Sequence, residues 1–374
     1  MGLSSELEWR YANTRRAMAE HDLDALIVSG SEYTGFEGSV TYMSGFQIVH
    51  RYAYVVLPAD GDPIIVFPTE ARYVGEHGTA EIEQVFAGTP GEEIAKRAKA
   101  SGWKRVGVYG LDYIMTVRDY RALEGLDLVN FDVEFDHSRA TKSAAELESV
   151  RESVRINQRG FEIFFEHYAP GKTAAEVMSH AEAYFIAQGC GRHLMDMVLT
   201  SEGRNGLALP EFKIARISEI LTDFMLPSLE IAGPGGHWVE VSRAVGTTDA
   251  RLTDHTKRQM EAYAEHYEAM RGALRVGATC HDVHRAVSKG FTDRGYHLGH
   301  VTGHSIGMTM IEHPKIGEGV DFVLGENMVF SMHPHVIADT GDCLYMQDTW
   351  LVTPSGGEPL DTLPMQIHLK DVAR

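Results

Sequence analysis

Imidazole and carboxylate are the groups in this chain that can do chemistry near neutral pH, and there are 19 histidines to place. Imidazole titrates near neutrality and is the commonest metal ligand. His304 lies in the run Gly303, His304, Ser305, Ile306, Gly307, and His333 and His335 flank Pro334. Two carboxylates, Glu230 and Glu240, fall in strand-like stretches at 226–232 and 239–245. Each residue has a plain reading beside the chemical one. An isolated histidine at a strand end is commonly packed in the core, and Glu240 can simply pair with Arg243. Whether Leu229 or Glu230 faces a cavity turns on one residue of register, because such a slip exchanges the two faces of a strand. His237, after Gly235 and Gly236, belongs to a loop or a cavity rim, and His313 to a rim or the surface.

The composition narrows the partners. Acidic side chains number 53 against 34 basic, a formal charge of -19. Nucleic acid and anionic membranes both call for a basic face, so neither is expected, and a small-molecule substrate is. No apolar run approaches the ~20 residues of a spanning helix, and the N-terminus carries no signal-peptide core. Cys190, Cys280 and Cys343 are an odd number, far apart, with no CxxC pair. A reducing cytoplasm is the expected compartment, with Cys190 and Cys343 as inert packed thiols.

These side chains need elements to position them. The length predicts about two domains. Strands are expected at 51–58 and 62–68, joined by the turn residues Ala59, Asp60, Gly61 and Asp62. With further helices and strands to about residue 135, this half reads as a layered α/β domain. The pattern changes near residue 140. Ser143, with Glu146 three residues on, predicts a capping box opening a long helix. Helices are expected again at 254–273 and 280–294, followed by strands with Gly-rich turns. The expected domains are 1–137 and 138–374.

Several segments together carry a resemblance. The helix at 257–279 resembles a hallmark helix of the pita-bread hydrolases, the superfamily of creatinase, aminopeptidase P, prolidase and methionine aminopeptidase. Residues 299–308 resemble its GHxxGHxxG segment, 326–334 and 345–353 its last two active-site strands, and 40–46 the N-terminal domain of its creatinase and aminopeptidase P branch. The resemblance implies an α/β N-terminal domain plus an α+β C-terminal pita-bread domain, paired as a homodimer.

Peptidases of that superfamily hold two metal ions with two aspartates, a histidine and two glutamates. At the matching positions this chain has Leu229 or Glu230, then Glu240, His304, His333 and Gln347. A bridged ion pair needs several carboxylates, and a glutamine is neutral. Glu211 and Ile311 stand where accessory histidines are usual. The pattern is similar to creatinase and to ectoine hydrolases, which implies a hydrolase without metal acting on a non-peptide C–N bond of an amidine, amide, guanidino or urea-like metabolite. In that reading His304 is the general acid–base, and Glu240 and Glu230 activate water or hold positive charge. His333, Gln347, His237 and Glu211 bind substrate, and Arg51 of one subunit reaches the other's site. Three alternatives stay open: one divalent ion held by His304, His333 and Glu240 in a hydrolase or lyase, an Xaa-Pro dipeptidase with altered ligands, or a protein that only binds.

Overall fold

The computed structural model describes residues 3–32, 37–48, 50–72, 82–191, 197–199, 212–214, 220–299 and 301–372. The chain divides into two compact units, Met1–Arg139 and Ala140–Arg374. No helix among the described residues is long and apolar enough to cross a membrane.

The N-terminal unit is built on a six-stranded sheet in the order Glu83–Ala87, Ile64–Pro68, Tyr52–Pro58, Ala25–Ser31, Arg105–Tyr109, Asp127–Asn130. Tyr52–Pro58 and Ile64–Pro68 form the expected antiparallel hairpin. Its turn contains Gly61 at φ 112, a conformation that favours glycine. Ala25–Ser31 is buried along its whole length, antiparallel to one neighbour and parallel to the other.

The C-terminal unit opens with the helix Ala144–His167, capped as the sequence predicts. Ser143 Oγ accepts from the Glu146 amide at 3.1 Å, and the Glu146 side chain accepts from the Ser143 amide at 2.9 Å. This reciprocal pair satisfies two amides that no helical carbonyl can reach. A second helix, Ala174–Ala187, packs beside it. Phe161, Phe164 and Phe185 from the two helices share one core with Leu229, Ile231, Val239 and Val241.

Those four aliphatic residues settle the faces of two strands. Phe224–Ala232 and Trp238–Ser242 are antiparallel, with Glu240 directly opposite Glu230. Side chains alternate along a strand. Leu229, Ile231, Val239 and Val241 therefore turn toward the helices, and Ser228, Glu230, Glu240 and Ser242 toward the opposite face. A second sheet runs in the order Glu312–Ile316, Gly303–Ser305, Val329–Met332, Asp348–Thr353, Gly356–Pro359. Helices Asp254–Ala273 and Cys280–Thr292 back it, burying Phe330, Met332, Trp350 and Val352 with Met270, Val283 and Val287. The two sheets are tied where the Ser242 and Gln347 backbones exchange hydrogen bonds of 3.2 and 3.3 Å. The carboxylate strands thus meet the histidine strands.

Candidate active site

Glu230, Glu240, His304, His333 and Gln347 line one cavity of about 340 Å³, together with Val301, Met310, Ile311, Lys315 and Tyr345. Five polar residues far apart in sequence converge because three strands, holding Glu230, Glu240 and His304, and two strand ends, holding His333 and Gln347, bring them together. Both glutamates are nearly sealed from solvent, at 5% and 3% exposure. The register question is answered here: Glu230 faces the cavity, and Leu229 is buried against the helices.

Gln347 sits between the two acids. Its Nε2 donates to Glu230 Oε1 at 3.0 Å, to Glu240 Oε2 at 2.9 Å and lies 2.9 Å from Tyr345 Oη. Its Oε1 accepts a short hydrogen bond from Ser228 Oγ, and Ser331 Oγ donates another to Glu240 Oε2. Glu240 Oε2 is thereby committed to protein donors. Its other oxygen, Oε1, lies 3.6 Å from His304 Nε2. His304 Nδ1 is 2.9 Å from the Ser305 carbonyl. A carbonyl can only accept, so Nδ1 carries the proton and the Nε2 lone pair faces Glu240. The His333 ring lies 4.9 Å from that of His304, centroid to centroid.

The electrostatics follow from burial. Burial, and then the charge of Glu240, push the Glu230 carboxyl well above the usual range. Burial pushes Glu240 up to about 7, opposed by hydrogen bonds from Ser331 and Gln347. Burial also pushes His304 down to about 4, keeping its imidazole neutral. Neutral imidazole is the ligating form.

One donor from each of Glu240, His304 and His333 lies within 4.8 Å of the others. Two donors each about 2.1 Å from a tetrahedral ion are about 3.4 Å apart, and the 3.6 Å between Glu240 Oε1 and His304 Nε2 matches that spacing. The hydrogen bond from His304 Nδ1 to a carbonyl is the usual support for a ligating histidine. These residues fit a divalent ion.

Of the other expected residues, one is placed elsewhere in the C-terminal unit. His237 does not line the cavity: Nδ1 lies 2.9 Å from Ser149 Oγ and Nε2 3.6 Å from Glu146 Oε1, which ties its loop to the Ala144–His167 helix. Arg51 belongs to the N-terminal unit, where it bonds His50 at 3.2 Å. Glu211 lies outside the described residues. Arg243 is not a partner of Glu240. It is buried and bonds Asp348, Asp361 and the Gln347 carbonyl, the last at 2.8 Å.

Sequence reading passed over Ser228, Ser331 and Tyr345. Each stands two residues before a named site residue, at 230, 333 and 347, and a period of two was the signal that could have found them. Lys315 was passed over as well, although its strand pairs it with His304.

Residues 148–354 match the pattern of metallopeptidase family M24, and residues 10–141 match the creatinase/prolidase N-terminal domain. The chain belongs to metallopeptidase family M24. Among curated relatives, an Xaa-Pro dipeptidase of Lactobacillus delbrueckii subsp. lactis is 28% identical over 282 residues, covering 72% of this chain and 73% of that protein. An uncharacterized peptidase of Bacillus subtilis is 22% identical over 370 residues, 94% of this chain and 98% of the other. The fold is also that of the dipeptidase PepE from Mycobacterium ulcerans, at TM-score 0.80 and 21% identity over 99% of this chain and 100% of that one.

Membership of M24 makes the chain a hydrolase and corrects two expectations. Hydrolysis of a non-peptide C–N bond gives way to the peptidase chemistry of the family and of its Xaa-Pro dipeptidase relative. The expected absence of metal, with His304, Glu240 and Glu230 acting alone, gives way to a family of metallopeptidases and to a donor trio ready for an ion. The error was to read the changes at several ligand positions, Gln347 among them, as the loss of metal altogether. Three donors converge without Gln347.

Proposed function

We propose that this chain is a metal-dependent peptidase of short peptides, holding one divalent ion on Glu240, His304 and His333. The observation that carries the reading is that trio, brought together in a buried cavity of an M24 chain. The 28% identity to an Xaa-Pro dipeptidase supports a dipeptide substrate.

Gln347 argues for one ion over two. Its amide directs hydrogens at Glu230 and at Glu240 Oε2, so those oxygens meet N–H groups where a second ion would need bare carboxylates. The ion supplies Lewis-acid charge at the scissile carbonyl. The protein's own groups do the rest. Glu230, buried beside Glu240 and bridged to it by Gln347, is placed to carry the proton that leaves the attacking water and reaches the departing amine as the C–N bond breaks. Burial of the whole group strengthens each of these interactions.

The test is to strip the protein of metal, reload it with manganese, count the bound ion and assay Xaa-Pro dipeptides. One equivalent per chain and dipeptide turnover are expected. His304→Ala and His333→Ala should each weaken metal binding by more than the roughly 10- to 100-fold typical of outer-shell changes. No turnover by the loaded protein, or turnover indifferent to His304→Ala, would overturn the reading.

A further inference from the structure

The two helices behind the glutamate strands carry another pair of histidines, outside the cavity described above. His167 is the last residue of the helix Ala144–His167, and His180 lies midway along Ala174–Ala187. Their rings stack face to face across the helix pair, with centroids 3.7 Å apart and planes 6° from parallel. His180 is exposed and His167 half-buried, so solvent reaches both. Among the described residues neither ring takes part in a hydrogen bond or an ion pair. The backbones beneath them are firmly held. Lys370 Nζ donates to the carbonyls of Phe165, Glu166 and Tyr168 at 3.2, 2.5 and 3.1 Å, which fixes the chain on both sides of His167. Val177, Met178 and Ala181, on either side of His180, are buried in the core that the two helices share.

We infer that His167 and His180 form a second metal site, taking a zinc, nickel or copper ion that bridges the two helices. Imidazole suits these ions, whereas manganese, magnesium and calcium favour oxygen donors. Each five-membered ring has two nitrogens. However one ring is turned over the other, a nitrogen of each lies near the stacking distance from its counterpart. That separation is close to the ~3.4 Å between two donors of a tetrahedral ion. The rings meet an ion by tilting toward it, and the χ2 torsion of histidine is broad, so the tilt costs little. With the backbones already fixed by Lys370 and the core, binding orders only two side chains. Water completes the coordination, so the site is weaker than one with three protein donors. An ion there joins helices that share a core with Leu229, Ile231, Val239 and Val241. The site is independent of the peptidase reading, and no step of the proposed chemistry passes through it.

The experiment titrates zinc into metal-stripped protein and counts bound ions in wild type, His167→Phe, His180→Phe and His304→Ala. Phenylalanine keeps a ring in the stack and removes its nitrogens, so these variants separate packing from ligation. Wild type is expected to bind two ions per chain and each Phe variant one, while His304→Ala retains the ion between the helices. The melting temperature gives a second readout. Zinc at about 100 times its dissociation constant should raise the Tm of His304→Ala by about 5 °C more than that of His304→Ala/His180→Phe. Manganese in place of zinc should bind alike to wild type and the Phe variants. A zinc count unchanged in either Phe variant overturns the site, because one ring then suffices without the other. A lower metal-free Tm in those variants, with the zinc count intact, overturns it too and assigns the stack to packing. A wild-type count of one, lost in either Phe variant, sustains the helix site and counts against an ion in the cavity.

Discussion

Glu230 and Glu240 stand directly opposite each other on adjacent antiparallel strands, both buried, and one amide group, that of Gln347, donates to both. Two acids in such a place cannot both ionise without a compensating charge. Gln347 lessens the problem with hydrogen bonds, and a divalent ion on Glu240 would remove it.

Gln347→Glu should therefore separate metal-free from metal-loaded protein. The variant loses the bridging donors and adds a third acid to the pair. Metal-free Gln347→Glu is expected to unfold more easily by about 2 kcal/mol, from acids left without partners in a buried place. Manganese should restore it by more than it stabilises wild type. Thermal unfolding with and without manganese checks this, and an unchanged metal-free Tm counts against the clamp.

Arg243 holds the chain that carries Gln347. Its guanidinium is fully buried, bonded to Asp348 and Asp361 and to the Gln347 carbonyl. Arg243→Met would strand two buried aspartates. A loss of about 3–5 kcal/mol in urea unfolding is expected, the scale for breaking a buried pair from one side. Adding Asp348→Asn should recover part of that loss.

Stability should fall with pH through His266. Burial pushes this imidazole down to about 4, while its Nδ1 lies 2.8 Å from the Val287 carbonyl. An unfolded histidine titrates near 6.5. Between pH 6.5 and 4 the unfolded chain binds the proton and the folded chain does not, so stability decreases as pH falls across that window. The contribution is about 3 kcal/mol over the full window. Urea unfolding at pH 7.5, 5.5 and 4.5 should show a flatter dependence in His266→Gln than in wild type. Parallel curves would refute it.

The two helices behind the glutamate strands approach through Gly160. A Cβ added there would lie 2.1 Å from Phe185 Cζ, in a fully buried contact. Alanine gains about 1 kcal/mol of helix propensity over glycine, yet overpacking of this kind costs about 1–3 kcal/mol. Gly160→Ala should be net destabilising in wild type and less so, or stabilising, in a Phe185→Ala background. A double-mutant cycle measures the coupling, and simple additivity would contradict the close approach.

The helices and the hairpin were legible in the sequence because their causes are local. Ser143 and Glu146 cap a helix through atoms three residues apart, and Gly61 turns a hairpin through its own φ. The order of motifs also carried the family resemblance, with His304, His333 and Glu240 as its chemical positions. The chemistry was read less well. His333 and Gln347 at glutamate positions, with Glu211 and Ile311 at accessory histidine positions, invited a reading without metal.

The sequence by itself determined which residue types this protein has to work with and the local elements that carry them. Only the tertiary structure decided which of them meet. Leu229 and Glu230 are neighbours with opposite faces, and the choice between them came from the helix core that claims Leu229 and leaves Glu230 across from Glu240. His237 was drawn to Ser149 and Glu146 by a helix nearly 90 residues away in sequence. Ser228, Ser331 and Tyr345 entered the site because strands expose every second side chain to one face. Register and strand pairing are long-range properties, set by packing over the whole unit, and no short stretch of sequence contains them.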